Sequence, residues 1–412
     1  MSGAPRSATR ILVVLALINL VSYAARNALI AVYPQLEARY GIDYAQFGLL
    51  QTVFMIPHAV ATLPFGWAGD AYDRRRVIAV GLVLASIAGA LGAVGSEFVG
   101  LAASRALVGL GTAAVVPVAN SILAQLYEGP TKAARLSVFN LGLFLGGAVG
   151  FEAGALAGFP LVVIVLAVPG IALGLVLLQL PVPAHAAPPP AVPWWTYLGQ
   201  FTRRFAGEAR ELVRIRTLRW LMVSTTAMAF TAGGYNWFMI EFLRVEKGMS
   251  EKAATNLLVL AMVGGLAGIL AGGRFADRLR ARWVNGRAWM IVIGMASSIP
   301  CTALAITLPA GPALYAAGIA TLFCFSLYHA PMAATVDDLA PPGKSVAAQG
   351  LVIGTMHLLG TAPSSWILGA VSEHTSLTTA MWVPTATLFL AATAMAVATR
   401  SFAADHARAR TG

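Results

Sequence analysis

The sequence predicts an all-α membrane protein with twelve transmembrane helices in two pseudo-symmetric six-helix bundles. Three observations support this fold class: a composition suited to lipid, about a dozen apolar stretches of helical length, and a motif that recurs in the second half of the chain. Of the 412 residues, 58% are hydrophobic and only 11% are charged, and the mean hydropathy is +0.75. Soluble domains are about one quarter charged, so this chain lacks the polar surface that water requires.

Each apolar stretch is long enough to cross the hydrocarbon core of a bilayer, which takes roughly 20 residues. Helices are expected because lipid cannot hydrogen-bond an exposed backbone, and the alternating pattern of barrel strands is absent. The first stretch exceeds the apolar core of a secretion signal, so we interpret it as a retained helix. The predicted spans, numbered 1 to 12 in chain order, are 11–33, 47–69, 77–95, 99–126, 135–158, 160–181, 218–242, 254–276, 288–308, 311–336, 346–370 and 377–399.

A change of composition separates the sixth span from the seventh. A proline-rich run from Pro181 to Pro193 is expected to be an extended connector. From Trp194 to Arg219, aromatic residues alternate with arginines, which favours an amphipathic helix on the membrane surface; a solvated linker is the alternative. The predicted domains are an N-terminal six-helix bundle at 1–181, a cytoplasmic linker with the amphipathic segment at 182–217, and a C-terminal six-helix bundle at 218–412.

Basic residues are distributed unequally between alternate loops. One set of loops, together with both termini, holds 22 of the 28 Lys and Arg residues, the other set holds 4, and 2 lie inside spans. Loops rich in Lys and Arg stay in the cytoplasm, which predicts a multi-pass protein of the inner or plasma membrane with both termini cytoplasmic. The net charge of +11 is scattered over these loops and not gathered on one face, so nucleic acid is not expected as a partner.

A short motif after span 2 recurs after span 8. In both places a glycine, three further residues, an aspartate and a basic cluster follow one another, and the copies stand 207 positions apart. A duplicated six-helix unit explains this spacing. Each aspartate is predicted to cap a helix end and to pair with the basic cluster, which would latch the cytoplasmic side in one state. The predicted latch residues are Gly66, Asp70, Arg74, Arg75, Gly273, Asp277 and Arg278.

On this motif the chain resembles the major facilitator superfamily, whose signature between helices 2 and 3 has the same form; Asp73 stands where that signature commonly has glycine. The resemblance implies that helices 1–6 rock against helices 7–12 around a site near the midplane. Glycines spaced by four in spans 5 and 8 would then be sliding surfaces between the halves, with static packing as the alternative. The resemblance implies a transporter, and we expect a monomer.

The sequence contains no motif typical of an enzyme. It has no nucleophile elbow, no paired metal-ligand motif and no nucleotide-binding loop, so we expect neither catalysis nor a cofactor nor a metal. Transport would have to draw on gradients of solutes or ions.

Three ionisable residues lie inside predicted spans of the first half: Arg26 in span 1, Arg105 in span 4 and Glu152 in span 5. Charges in a membrane are costly and indicate function, and counting about 1.5 Å per residue puts all three at similar depth. Two cations against one anion favour a carboxylate or phosphate on the substrate; structural pairing of Glu152 with one arginine is the alternative. Further candidates for substrate binding or coupling are Tyr23, Asn27, Tyr235, Asn236, His329 and His357.

A narrower resemblance is to the Spinster-like branch of the superfamily, whose members are associated with lysophospholipid and sphingosine-phosphate transport. The matching pieces are Tyr23 with Arg26, the run Gly48 to Phe54, Arg105 with Gly109 and Gly111, and His357 to Gly360 followed by Pro363 and Ser364. Three acids usual in that branch are absent, because Ala25, Thr112 and Thr361 stand in their places. The resemblance implies a small-molecule or lipid-like substrate and the lipid bilayer as partners; the retained arginines favour an anionic group on the substrate, and the coupling ion does not follow.

The expected activity is therefore secondary active transport of an organic or amphipathic anion. Protons could be carried by Glu152, His58, His329 or His357; a facilitator driven by the solute gradient without proton coupling is one alternative. Export of hydrophobic drugs or metabolites is another, for which an apolar cavity would suffice. The sequence leaves the identity of the solute and the direction of transport open.

Overall fold

A computed structural model describes residues 6–127, 131–182 and 194–411 of the chain. The first half contains α1 (Arg6–Asn27), α2 (Tyr33–Tyr40), α3 (Tyr44–Ala71), α4 (Arg74–Val94), α5 (Phe98–Thr112), α6 (Val115–Leu126), α7 (Thr131–Ala157) and α8 (Leu161–Gln179). The second half contains α9 (Trp194–Leu212), α10 (Arg216–Val245), α11 (Glu251–Arg282), α12 (Gly286–Thr307), α13 (Pro312–Ser326), α14 (His329–Leu339), α15 (Ser345–Thr355), α16 (Ala362–His374) and α17 (Leu377–Thr411). A 3-10 turn joins α1 to α2, and a π-helical turn, Met356–Thr361, joins α15 to α16.

The predicted helical membrane fold is confirmed. Among the described residues, 11 helical segments are long and apolar enough to cross a membrane. The remaining predicted span is α10, which has 30 residues and is thus about 45 Å long. Its interior carries polar residues such as Thr225, Thr231 and Asn236, which make it less apolar than the others. The chain divides into two compact units, residues 1–198 and 199–412, each with six spans.

The duplication predicted from the loop motif extends to breaks in two helices. Span 4 is broken at Ala113, between α5 and α6, and span 10 is broken at Leu327, between α13 and α14. In each unit a glycine of the preceding span packs on the broken helix. A Cβ atom on Gly81 would lie 2.4 Å from the carbonyl oxygen of Gly111, and one on Gly294 would lie 3.0 Å from the Cβ of Leu327. Breaks at corresponding positions of two repeats are typical of transporter binding regions.

The glycine stripes pack helices within a unit. A Cβ on Gly146 of α7 would lie 2.4 Å from the carbonyl oxygen of Leu20 in α1. In the second unit a Cβ on Gly268 of α11 would lie 2.2 Å from the carbonyl oxygen of Phe323 in α13. The expectation that these stripes are sliding surfaces between the halves is therefore wrong, because the space left by each missing side chain is filled by a backbone of the same unit.

We expect Gly146→Ala to lower the thermal midpoint of the detergent-solubilised protein. The added methyl group would force α7 away from α1, and overpacking of this kind costs about 1–3 kcal/mol. Gly100→Ala is the matched control, because a Cβ there meets nothing within 4 Å. Equal thermal midpoints for the two variants would contradict the tight packing of α7 on α1.

The amphipathic helix predicted after the proline run is present as α9, whereas most of the proline run lies outside the described residues. Arg203 and Arg204 are exposed on α9, and Arg204 pairs with Glu208 at 3.0 Å. Leu212, at the end of the helix, is fully buried in the apolar core of the second unit. This anchoring fits an amphipathic helix better than a solvated linker. The limits of the predicted linker, 182–217, stay a prediction.

Candidate functional site

The two membrane arginines of the first unit share one aromatic ring. The Cζ atoms of Arg26 and Arg105 lie 5.2 Å and 4.8 Å from the centre of the Phe54 ring. Cation–π contacts of this kind replace part of the lost hydration of a guanidinium group. Arg105 also donates from Nη2 to the carbonyl oxygen of Arg26 at 3.3 Å, so the positions of the two arginines are linked.

Close packing of α5 on α3 brings Arg105 to this ring. A Cβ on Gly109 would lie 2.1 Å from the carbonyl oxygen of Phe54, so the approach requires glycine. Gly109 stands four residues after Arg105, one turn further along the same helix face. Phe54 was not among the predicted site residues. Its place in the run shared with the Spinster-like branch was the available signal.

Neither guanidinium group is paired with a carboxylate of the described residues. Arg26 is half-buried and donates from Nη2 to the sulfur of Met55 at 3.0 Å, a weak acceptor. Arg105 is only 4% exposed, and its Nε has no acceptor. Glu152 is half-buried on α7 and forms no ion pair with either arginine. The structural pairing considered for Glu152 is therefore absent, and two positive charges stand without a partner charge in contact.

Tyr23 and Asn27 lie beside Arg26 on α1. The Tyr23 ring centre is 5.9 Å from the Cζ atom of Arg26. Asn27 Nδ2 donates to the carbonyl oxygen of Tyr23 at 2.8 Å, one turn back along the helix. Tyr23 therefore lies on the same helix face as Arg26, as expected for a spacing of three, whereas the adjacent Asn27 binds the Tyr23 backbone.

The predicted site residues of the second unit lie on α10, at the helix break and in the π-helical turn. The Tyr235 hydroxyl on α10 donates to the carbonyl oxygen of Met381 at 3.0 Å, which fastens α10 to α17. Asn236 is half-buried on the same helix. His329 begins α14 immediately after the break, and its Nε2 lies 3.1 Å from the Tyr328 hydroxyl. Their role in substrate binding stays a prediction.

Two of the three positions at which the Spinster-like branch usually has acids are threonines here, and each threonine contacts a histidine. Thr112 Oγ1 lies 3.4 Å from Nδ1 of His58 in the first unit, and Thr361 Oγ1 lies 3.3 Å from Nδ1 of His357 in the second. His357 and Thr361 both belong to the π-helical turn, a rare feature that is frequent at functional sites. A hydroxyl group brings no negative charge to either histidine.

Asp73 organises the loop motif of the first unit, between α3 and α4. Its Oδ1 accepts from the Arg75 backbone at 3.0 Å, which caps α4, and the Arg75 side chain binds both carboxylate oxygens at 3.1 and 2.9 Å. These hydrogen bonds hold the pKa of the Asp73 carboxyl below its usual value. Arg74 is buried and donates to the carbonyl oxygen of Gly69 at 3.1 Å. Asp70 was predicted to pair with the basic cluster, but its side chain is not among those that the structure describes.

In the second unit the arginine that pairs with Asp277 comes from the next helix. Arg287, at the start of α12, approaches Asp277 at 3.2 Å and Asp338 at 3.1 Å. Arg278 instead lies over the Phe275 ring at 5.6 Å. Its predicted place in the latch is corrected, because adjacent residues on a helix do not face each other. Asp338, which also approaches Arg280 at 3.9 Å, was missed by the sequence motif.

The two motif glycines are packing positions at corresponding places. A Cβ on Gly66 would lie 3.1 Å from the Cβ of Pro117 in α6, and one on Gly273 would lie 3.4 Å from the Cβ of Ala330 in α14. In the first unit a side chain would crowd the second part of the broken span, whereas in the second unit it would make an ordinary van der Waals contact.

Most of the chain is similar in sequence to known membrane transporters. The sequence profile of the Major Facilitator Superfamily matches residues 15–362. Protein spinster homolog 3 of Danio rerio is 28% identical over 389 residues, which cover 88% of this chain and 76% of that protein. The sphingosine-1-phosphate transporter SPNS2 of Mus musculus is 26% identical over 392 residues, which cover 87% of this chain and 69% of that protein.

Solved structures show the same fold. A bacterial homolog of the human lysosomal transporter Spinster superposes with a TM-score of 0.84 at 19% identity, over 98% of this chain and 99% of that chain. The nucleoside transporter NupG superposes with a TM-score of 0.72 at 15% identity, over 96% of this chain and 98% of that chain. The protein is therefore a multi-pass membrane transporter and not an enzyme; it belongs to the Major Facilitator Superfamily and within it is similar to the Spinster proteins.

Proposed function

We propose that this protein is a secondary active transporter that moves an organic or amphipathic anion across the cytoplasmic membrane by alternating access. The observation that carries the proposal is the arginine pair on Phe54, in which neither guanidinium group contacts a carboxylate of the described residues. Buried charges without a partner are costly in a membrane. An anionic substrate that pairs with Arg26 would supply one of the missing negative charges.

Arg26 is the residue that we assign to the substrate anion. It is less buried than Arg105, and among the described residues its guanidinium group donates one side-chain hydrogen bond, to a thioether sulfur, which an anion would outcompete. A guanidinium group binds phosphate through two parallel hydrogen bonds. The name of the relative SPNS2 gives sphingosine-1-phosphate as its cargo, which supports a phosphate-bearing amphiphile here.

The proposal includes the orientation of the protein in the membrane and the motion of its two halves. The unequal distribution of Lys and Arg between loops, 22 against 4, supports cytoplasmic termini. Helices 1–6 would rock against helices 7–12, with the Asp73 and Asp338 ion pairs latching the cytoplasmic ends, and the chain would act as a monomer.

Flux into proteoliposomes tests the proposed function. Purified protein is reconstituted, and uptake of radiolabelled sphingosine-1-phosphate is compared with uptake of a neutral monoacylglycerol of similar chain length. We expect protein-dependent uptake of sphingosine-1-phosphate and none of the monoacylglycerol. Uptake of the neutral lipid alone would overturn the proposal and favour the export of hydrophobic compounds.

The same vesicles identify the energy source. Faster uptake under an imposed pH gradient would indicate proton coupling through Glu152 or a histidine. Uptake that follows the solute gradient alone would indicate a facilitator without proton coupling. Thr112 and Thr361, which contact His58 and His357, stand where the branch usually has acids, so proton coupling through carboxylates at these two positions is not expected.

A further inference from the structure

A cavity lies beside Arg105 in the first unit, among α1, α4, α5 and α8. Its volume is about 40 Å³, enough for at least one particle of the size of a water molecule. Most of the lining is apolar. The polar side chains that line it are Arg105 and four hydroxyl residues, Ser22, Ser86, Ser104 and Thr112.

Two polar atoms of this lining have no hydrogen-bond partner among the residues that the structure describes. Arg105 is 4% exposed, and its Nε lacks an acceptor. The Oγ atom of Ser22 is buried and also lacks a partner. By contrast, Thr112 Oγ1 donates to the carbonyl oxygen of Val108 at 2.8 Å. Buried donors are almost always satisfied in folded proteins, so the cavity is expected to hold a hydrogen-bond acceptor.

The positive charge beside the cavity favours an anion over a water molecule as its occupant. Arg26 lies on the same Phe54 ring as Arg105, so two cations are close together, and neither is paired with a carboxylate of the described residues. Ala25 and Thr112 line the cavity without adding charge. Water would satisfy the Nε–H group but leave the charge uncompensated, whereas a monovalent anion would satisfy both.

We propose that this cavity binds a small monovalent inorganic anion, chloride in the cell, as a resident counterion of Arg105. The anion accepts hydrogen bonds from Nε–H of Arg105 and from the hydroxyl group of Ser22. It lies entirely within the first unit and is distinct from the transported solute, which we assign to Arg26. A resident anion lowers the positive charge at Arg105 and leaves Arg26 as the cation that selects the substrate.

Thermal stability in the absence of any transport substrate tests this site. The detergent-solubilised protein is melted in chloride and in gluconate at equal ionic strength, and chloride is expected to raise the thermal midpoint by a saturable amount. Ala25→Asp places a carboxylate in the cavity wall and should abolish the chloride response, whereas Ala25→Asn, of the same size, should keep it. Equal melting of the wild type in both salts, or an equal response of the two variants, would overturn the proposal.

Bromide provides a second measurement that needs no variant. Crystals of the wild-type protein grown in bromide should show an anomalous peak in the cavity within hydrogen-bond distance of Arg105 Nε. A cavity without a bromide peak would contradict the proposal. Both measurements omit the substrate, so a negative result leaves anion transport standing, and bromide binding by a protein that transports no anion would refute only the proposed function.

Discussion

Replacing Arg26 by glutamine is expected to reduce uptake of a phosphate-bearing amphiphile about 10- to 100-fold. Hydrogen bonds to a charged group contribute about 1.5–3 kcal/mol, and each 1.4 kcal/mol is about tenfold in affinity. Glutamine retains a donor but loses the charge and the paired geometry that phosphate requires. Any residual uptake of a neutral monoacylglycerol should change by no more than about twofold. Uptake into proteoliposomes, corrected for the amount of reconstituted protein, measures both.

Two further variants separate charge recognition from folding. Arg26→Lys keeps the charge but not the two parallel hydrogen bonds, so its uptake should fall between those of the wild type and Arg26→Gln. Arg203→Gln is the matched control, because the Arg203 side chain is exposed on α9 and forms no ion pair with the described residues. If Arg26→Gln left uptake of the phosphate unchanged, the assignment of Arg26 to the substrate anion would be wrong.

The membrane fold could be predicted because lipid imposes a length and a polarity on every span. The same cost of charge in lipid marked Arg26 and Arg105 in advance, and the structure brings both to one ring. Phe54 was missed because an aromatic residue in an apolar span is usually a packing residue, and nothing in its spacing shows that two cations contact it. The cavity beside Arg105 was missed because a void depends on how four helices pack.

The sequence did not show which helices pack against each other. Spacing by four showed that Gly146 and Gly268 allow a close approach, but a stripe does not name the helix that approaches. Similarly, the loop motif marked Asp277 correctly as an ion-pair residue, whereas its partner Arg287 lies beyond the motif at the start of the next helix. Contacts between elements that are distant in the chain have no local signature.

The Asp338 carboxylate is expected to contribute more to stability than the motif residue Asp277. Asp338 is 19% exposed and approaches two half-buried arginines, Arg287 at 3.1 Å and Arg280 at 3.9 Å. Removing its charge would leave both guanidinium groups without this partner. The Asp277 side chain, in contrast, is 71% exposed and, within the described part of the chain, forms an ion pair with Arg287 alone. Exposed ion pairs contribute about 0–1 kcal/mol, whereas breaking buried pairs costs more, about 3–5 kcal/mol when burial is complete.

We therefore expect Asp338→Asn to destabilise the protein by about 1–3 kcal/mol, a value reduced from the fully buried case because the cluster is partly hydrated. Asp277→Asn, the matched control, should cost less than about 1 kcal/mol. The thermal midpoints of the two variants in detergent measure the difference, and high salt should shrink the effect of Asp277→Asn more than that of Asp338→Asn. If Asp277→Asn were the more damaging change, the carboxylate of the repeated motif, and not Asp338, would hold α11 to α12.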